Sequence, residues 1–171
     1  MRSFGFAPLA GAALTLVCVT SVQAAPASAP AVSIAFEDGT VTPLARYAGK
    51  VVLIDFWASW CAPCARSFPA LDGLYREFHD QGLEVVAVNV DEDRRAAQAF
   101  LAKHPHVMPI GFDPKGSLPS AFHAEAMPAS FLVDHSGVIR YSHAGFTDTT
   151  LDAYRREIHG LLLEAALQGT K

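Results

Sequence analysis

Two cysteines separated by two residues carry the chemistry that this chain most plainly offers. They stand in Trp60-Cys61-Ala62-Pro63-Cys64, behind an apolar run over residues 51–57 and ahead of a helix-like segment. A strand feeding a Cys-x-x-Cys that opens a helix is the setting for dithiol–disulfide exchange. The helix N-terminus offers unpaired backbone N–H groups and a partial positive charge, and both stabilise a thiolate. Cys61 is then the nucleophile and Cys64, one turn later, the resolving thiol. Zinc ligation, a structural staple and two buried apolar thiols are the competing uses of such a pair. Zinc needs two more soft ligands, but the remaining cysteine, Cys18, lies in the N-terminal leader. His104-Pro105-His106 is the one close histidine pair, and its spacing does not suit a metal. A staple closing so short a loop constrains the unfolded chain little. Redox exchange is the favoured reading.

Asp55 is the second candidate. Three apolar residues precede it and Phe56 and Trp57 follow it. Burial in such a strand disfavours the ionised form and raises the carboxyl pKa. A carboxylate tuned toward neutrality suits a general base for the more buried thiol, directly or through water. The alternatives are a solvated aspartate at a strand end and one that caps the next helix.

Residues 1–24 read as a secretory leader. Arg2 is the only charge before Glu37, residues 9–22 form an apolar core, and Val22-Gln23-Ala24 fits a small-residue cleavage site. An uncleaved anchor is the alternative, since residues 4–22 are just long enough to span a bilayer. Removing 24 of the 171 residues leaves 147, enough for one domain with its own core. Arg2 leaves with them, so 12 basic residues face 17 acidic ones, a net charge of −5. That balance argues against nucleic acid as a partner. Export with a single Cys pair places the chemistry in an oxidising compartment.

The elements that must position these residues follow from the patterning. Residues 25–31, Ala-Pro-Ala-Ser-Ala-Pro-Ala, read as a low-complexity tether with nothing to bury. The domain is expected over residues 32–168. Residues 34–36 and 40–42 flank an Asp38-Gly39 turn and predict a hairpin. The apolar runs at 51–57 and 84–90 predict strands buried on both faces. Helices are predicted over 62–79, kinked at Pro69, and over 93–103 with Asp93 as N-cap. Residues 107–112 read as extended and 118–123 as a short helix. Residues 129–133 and 138–143 predict a second hairpin, and 148–167 an amphipathic closing helix. Strands alternating with helices, then a hairpin and a helix, predict an α/β fold with a mixed sheet covered on both faces.

The run from Ile54 through Asp55, Phe56, Trp57, Ala58, Ser59 and Trp60 to Cys61-Ala62-Pro63-Cys64 resembles the active-site segment of thioredoxins. Met127-Pro128-Ala129-Ser130-Phe131-Leu132-Val133-Asp134, with Gly137, resembles their second signature, the cis-proline loop. Gly49-Lys50-Val51-Val52 and Phe112-Asp113-Pro114-Lys115-Gly116 resemble the exported, TlpA-type branch of thioredoxin-like thiol:disulfide oxidoreductases, which includes the reductases of cytochrome c maturation. The resemblance covers about residues 32–167. It implies a thioredoxin fold, with a mixed central β-sheet flanked by helices and an N-terminal β-hairpin extension. Members serving cytochrome c maturation often carry a glutamate three residues after the second cysteine, where this chain has Ser67.

The resemblance also assigns roles. Pro128 follows a cis bond and faces the cysteines, and the Met127 backbone pairs with substrate as an added strand. Trp60 shields the sulfurs and offers an apolar docking surface, whereas Trp57 is assigned to the core. Ala62 and Pro63 tune the potential by altering thiolate stabilisation. No cofactor and no metal are expected. Copper-chaperone relatives ligate through a more widely spaced Cys pair and a histidine; His135 lies in the predicted hairpin turn, so a solvated turn histidine is expected and copper ligation is the alternative. A dithiol oxidase is the other alternative. Disulfides of exported proteins are the expected substrates, a membrane-embedded thiol the electron donor, and a periplasmic monomer the working form.

Overall fold

The computed structural model describes residues 27–169. The leader, residues 1–24, lies outside the described residues. Among the described residues no helix is long and apolar enough to cross a membrane.

A seven-stranded mixed sheet organises the domain. Its strands are β1 (Ser33–Phe36), β2 (Val41–Pro43), β3 (Val51–Trp57), β4 (Leu83–Asn89), β5 (Ile110–Phe112), β6 (Ala129–Val133) and β7 (Ile139–Ala144), in the spatial order β2-β1-β5-β4-β3-β6-β7. The central β3, β4 and β5 are parallel, and β1 and β6 pair antiparallel on either side of them. Among the described residues four α-helices connect and cover the sheet: α1 (Ala62–Phe78), α2 (Arg94–Leu101), α3 (Ser117–Ala121) and α4 (Asp148–Gln168). This is the expected α/β thioredoxin fold with its N-terminal hairpin.

Every residue of β3 and β4 is buried, as near-continuous apolar runs require when helices lie on both faces. Alternation along β3 then sorts its side chains. Leu53 and Trp57 join α1 and α4 residues in one core layer, with Cys61, Cys64, Phe68, Tyr154 and Ile158. Val52, Ile54 and Phe56 join Ile34, Leu118, Phe122 and Phe131 in the other. Asp55 falls between Leu53 and Trp57, so it points into the layer that holds the cysteines.

Several predicted boundaries move for identifiable reasons. The helix expected over 62–79 is continuous across Pro69 and ends at Phe78, where a 3-10 turn, His79–Gln81, closes on Gly82 at φ 106°. The extended segment at 107–112 becomes a strand only from Ile110, because the Val107 and Met108 N–H groups donate to Asp72 Oδ1 instead. The predicted tether is partly paired. Ala29 N–H donates to the Gly137 carbonyl and Ile139 N–H to the Ala27 carbonyl, both at 2.9 Å. Main-chain pairing of this kind leaves no mark in composition. On β5, Gly111 is a close-approach position: a Cβ there would lie 2.5 Å from Ile34 Cγ2 of β1.

Candidate active site

The site assembles at the C-terminal ends of the parallel strands. β3 ends at Trp57, and residues 58–60 turn the chain so that Cys61 caps α1. Cys61 N–H donates to the Ala58 carbonyl at 3.1 Å. Its Sγ in turn accepts from Cys64 N–H at 3.3 Å, so the sulfur sits where the helix offers its first free donors. Pro63 stands in the first turn, where a missing N–H costs no helical hydrogen bond. The two sulfurs are joined in a disulfide. Cys61 keeps 5% of its surface and Cys64 none, while the neighbouring Trp60 is 70% exposed. Ala62 is exposed as well.

Met127–Pro128 is a cis bond, as the resemblance implies. Strand β6 pairs Ala129 with Phe56, so Pro128 lies at the same end of the sheet as Cys61. The Pro128 carbonyl accepts from Gly145 N–H at 2.7 Å. Met127 is half-buried and packs against both core layers.

Asp55 is 1% exposed. Burial pushes its carboxyl up to about 7, opposed by one hydrogen bond from the Ser130 hydroxyl to Oδ1 at 2.7 Å. Oδ2 is buried with no partner among the described residues. Ser130 also lies 2.5 Å from the Tyr154 hydroxyl of α4. Trp57 is fully buried, edge-on to Phe68 and tilted on Phe100, in keeping with a core role.

The structure adds groups that sequence reasoning did not single out. Asp91, just past β4, accepts from Ser59 N–H at 2.9 Å and Ser59 Oγ at 3.0 Å, and from Asn89 Nδ2 at 2.7 Å. It thereby ties the loop before Cys61 to the neighbouring strand. The only sequence signal was a carboxylate directly after an apolar strand. Ser130 lies inside the second signature, and Tyr154 lies on the buried face of the closing helix.

A scan of the chain against protein-family models matches the Redoxin family over residues 24–158. The chain belongs to the Redoxin family. Together with the relatives that follow, that membership makes it, by class, a thioredoxin-like thiol:disulfide oxidoreductase, and its Cys61–Cys64 pair is closed in a disulfide. The redoxin is similar to the thiol-disulfide oxidoreductase ResA of Geobacillus kaustophilus, 34% identical over 97 residues, 57% of this chain and 56% of that one. It is similar also to ResA of Bacillus thuringiensis, 30% identical over 122 residues, 71% of this chain and 70% of that one. A putative thiol:disulfide interchange protein DsbE from Chlorobium tepidum superposes with a TM-score of 0.77 at 37% identity, covering 80% of the redoxin and 96% of that structure.

The position of His135 bears on the copper alternative. His135 sits in the turn beyond the far end of β6, with the five residues of that strand, about 17 Å, between it and Pro128. Its Nε2 lies 2.9 Å from Gln168 Oε1. The fold does not bring His135 to the cysteines. Among the described residues no group of three His, Cys, Asp or Glu side chains is arranged to hold a metal ion.

Proposed function

We propose that this redoxin is an exported, periplasmic disulfide reductase acting on other exported proteins. The observation that carries the reading is the asymmetry of the pair: Cys61 caps α1 and keeps 5% of its surface beside exposed Trp60, while Cys64 is fully covered. In the reduced protein the Cys61 thiolate attacks a substrate disulfide. A mixed disulfide forms and one substrate thiolate leaves. Cys64 passes its proton to the Asp55 carboxylate and its sulfur attacks Cys61. The Cys61–substrate bond breaks, and the second substrate sulfur leaves as a thiolate with the electron pair that the dithiol has given up. Among the described residues the Met127 backbone has no hydrogen-bond partner, which supports its pairing with substrate as an added strand. Trp60 and Pro128 flank that track, and Ala62-Pro63 tune the potential.

Residues 65–127 are spent on α1, β4, α2, β5, α3 and their loops. No inserted helical domain of the kind found in dithiol oxidases is present there, which favours the reducing direction. A reductase in an oxidising compartment requires electrons from outside it, so a membrane-embedded thiol donor is the implied partner. Cytochrome c maturation belongs to the same branch. At the position of its frequent glutamate, however, the Ser67 hydroxyl donates to the Cys64 carbonyl at 3.2 Å. The client class proposed is therefore exported disulfide proteins at large. The test is the equilibrium potential of the Cys61–Cys64 couple against glutathione. A value near the roughly −270 mV of thioredoxin supports the reductase, and one near the roughly −120 mV of a strong oxidase overturns it.

A further inference from the structure

Three side chains in the layer that holds the cysteines form one hydrogen-bonded chain. Ser130 Oγ lies 2.7 Å from Asp55 Oδ1 and 2.5 Å from the Tyr154 hydroxyl. Asp55, Ser130 and Tyr154 are 1%, 0% and 1% exposed. They come from β3, β6 and α4, and Asp55 and Ser130 are register partners in the sheet.

The proton count gives the chain a direction. A serine hydroxyl carries one proton, and an ionised carboxylate only accepts. Ser130 therefore donates to Asp55 Oδ1, and Tyr154 donates to Ser130. In the reverse direction Oδ1 would carry a proton toward Ser130, and Ser130 would donate to Tyr154. The buried Tyr154 O–H would then lose its only hydrogen-bond partner among the described residues, an expensive state for a buried donor. The forward direction is favoured, and it keeps Oδ1 an acceptor. Oδ2 has no partner, so it is the oxygen left to receive a proton.

We propose that Ser130 and Tyr154 are positioning residues of the redox site, which hold Asp55 by Oδ1 and leave Oδ2 to take the proton of Cys64. The inference rests on the reading of Asp55 as the base. During resolution the Cys64 S–H proton moves to Oδ2 and the Cys64–Cys61 bond forms. The Cys61–substrate bond breaks and the substrate leaves as a thiolate. The Tyr154→Ser130→Asp55 bonds keep their direction throughout, so no buried hydroxyl has to reorganise.

The chain also sets the pH at which the base works. The layer Asp55 points into holds the Cys61–Cys64 pair of α1 and Tyr154 of α4, and Ser130 of β6 lies alongside. Its partner on β4, Ala87, is not ionisable. Beyond Tyr154 stand Glu157 of α4 and His143 of β7, 2.7 Å apart, with the His143 ring edge-on to the tyrosine at 4.9 Å. Among the described residues no cation pairs with Asp55. The Ser130 hydroxyl is the one group that favours its ionised form.

The experiment uses the exported chain with Ser130→Ala, Tyr154→Phe and Asp55→Asn. The Asp55 carboxyl is titrated by carbon NMR in the oxidised protein, and mixed-disulfide resolution is followed against pH in the reduced one. Ser130→Ala should move both midpoints upward by about one to two pH units, the shift expected from losing one hydrogen bond to a charged group. Tyr154→Phe should move them the same way by less, and it preserves the test should Ser130→Ala fold poorly. A merely structural role would lower stability and leave both midpoints in place. If Asp55→Asn removes the pH step while the hydroxyl variants leave the midpoint unmoved, the positioning role falls and the base remains. If Asp55→Asn leaves resolution unchanged, the base and the positioning role fall together.

Discussion

Asp55 and Ser130 face each other across the β3–β6 ladder, and the serine hydroxyl donates to Asp55 Oδ1 at 2.7 Å. The carboxyl is thus held by one oxygen inside an apolar layer, and that burial brings its pKa to about 7. A group so placed changes charge where a resolving thiol needs its proton removed.

Asp55→Asn should slow resolution of the mixed disulfide by about 10²-fold or more and leave the first attack by Cys61 essentially unchanged. Stopped-flow kinetics with a disulfide peptide separates the two steps. Equal resolution rates in variant and parent would remove Asp55 from the mechanism.

The same substitution should alter how stability depends on pH. The Asp55 carboxyl stands near 3.8 when unfolded and near 7 when folded. Between those values the unfolded chain has lost its proton and the folded chain has kept it, so stability falls as pH rises through the window. Above about 7 the loss is complete. The asparagine variant lacks this loss, so it should gain on the parent by roughly a few kcal/mol between pH 4 and pH 8. Denaturant unfolding at several pH values checks it, and a constant difference would contradict it.

Cys64→Ser should accumulate a mixed disulfide through Cys61, because the attacking sulfur remains and the resolving one is gone. Cys61→Ser should trap far less, since Cys64 has no exposed surface. Intact mass after incubation with a disulfide substrate distinguishes them, and equal trapping by both would invert the assignment.

Asp91 holds Ser59 and Asn89 through three hydrogen bonds in the loop that precedes Trp60. Asp91→Ala leaves the buried Asn89 amide and the half-buried Ser59 donors without their acceptor and should cost about 1–3 kcal/mol. Because the loop carries Trp60 and Cys61, the variant should also reduce substrate disulfides more slowly at temperatures where it stays folded. Lost stability with full activity would limit Asp91 to a structural role.

Gly111→Ala places a Cβ 2.5 Å from Ile34 Cγ2 and should cost about 1–3 kcal/mol by overpacking. Ile34→Ala removes the clashing methyl, so the double variant should be more stable than the two single losses predict. Additive losses would mean that β1 shifts away at no cost.

Much of this protein was legible before its structure. Continuous apolar runs marked β3 and β4, the Cys-x-x-Cys marked the start of α1, and an apolar stripe marked α4. These signals are local, because periodicity and capping act within a few residues. The chemistry of Cys61 and Cys64 and the burial of Asp55 followed from the same short windows.

Tertiary structure alone decided which side chains meet. Asp55 and Ser130 are 75 residues apart, Ser130 and Tyr154 are 24 apart, and Ser59 and Asp91 are 32 apart. Each contact depends on strand register or helix docking, which no local pattern encodes. The pairing of His135 with Gln168 at the end of α4, 33 residues on, is of the same kind. The same holds for Ala27 and Ala29, whose main-chain groups find partners beside the β6–β7 turn. Side-chain type states what a residue can do, and only the packing of elements distant in sequence selects its partner.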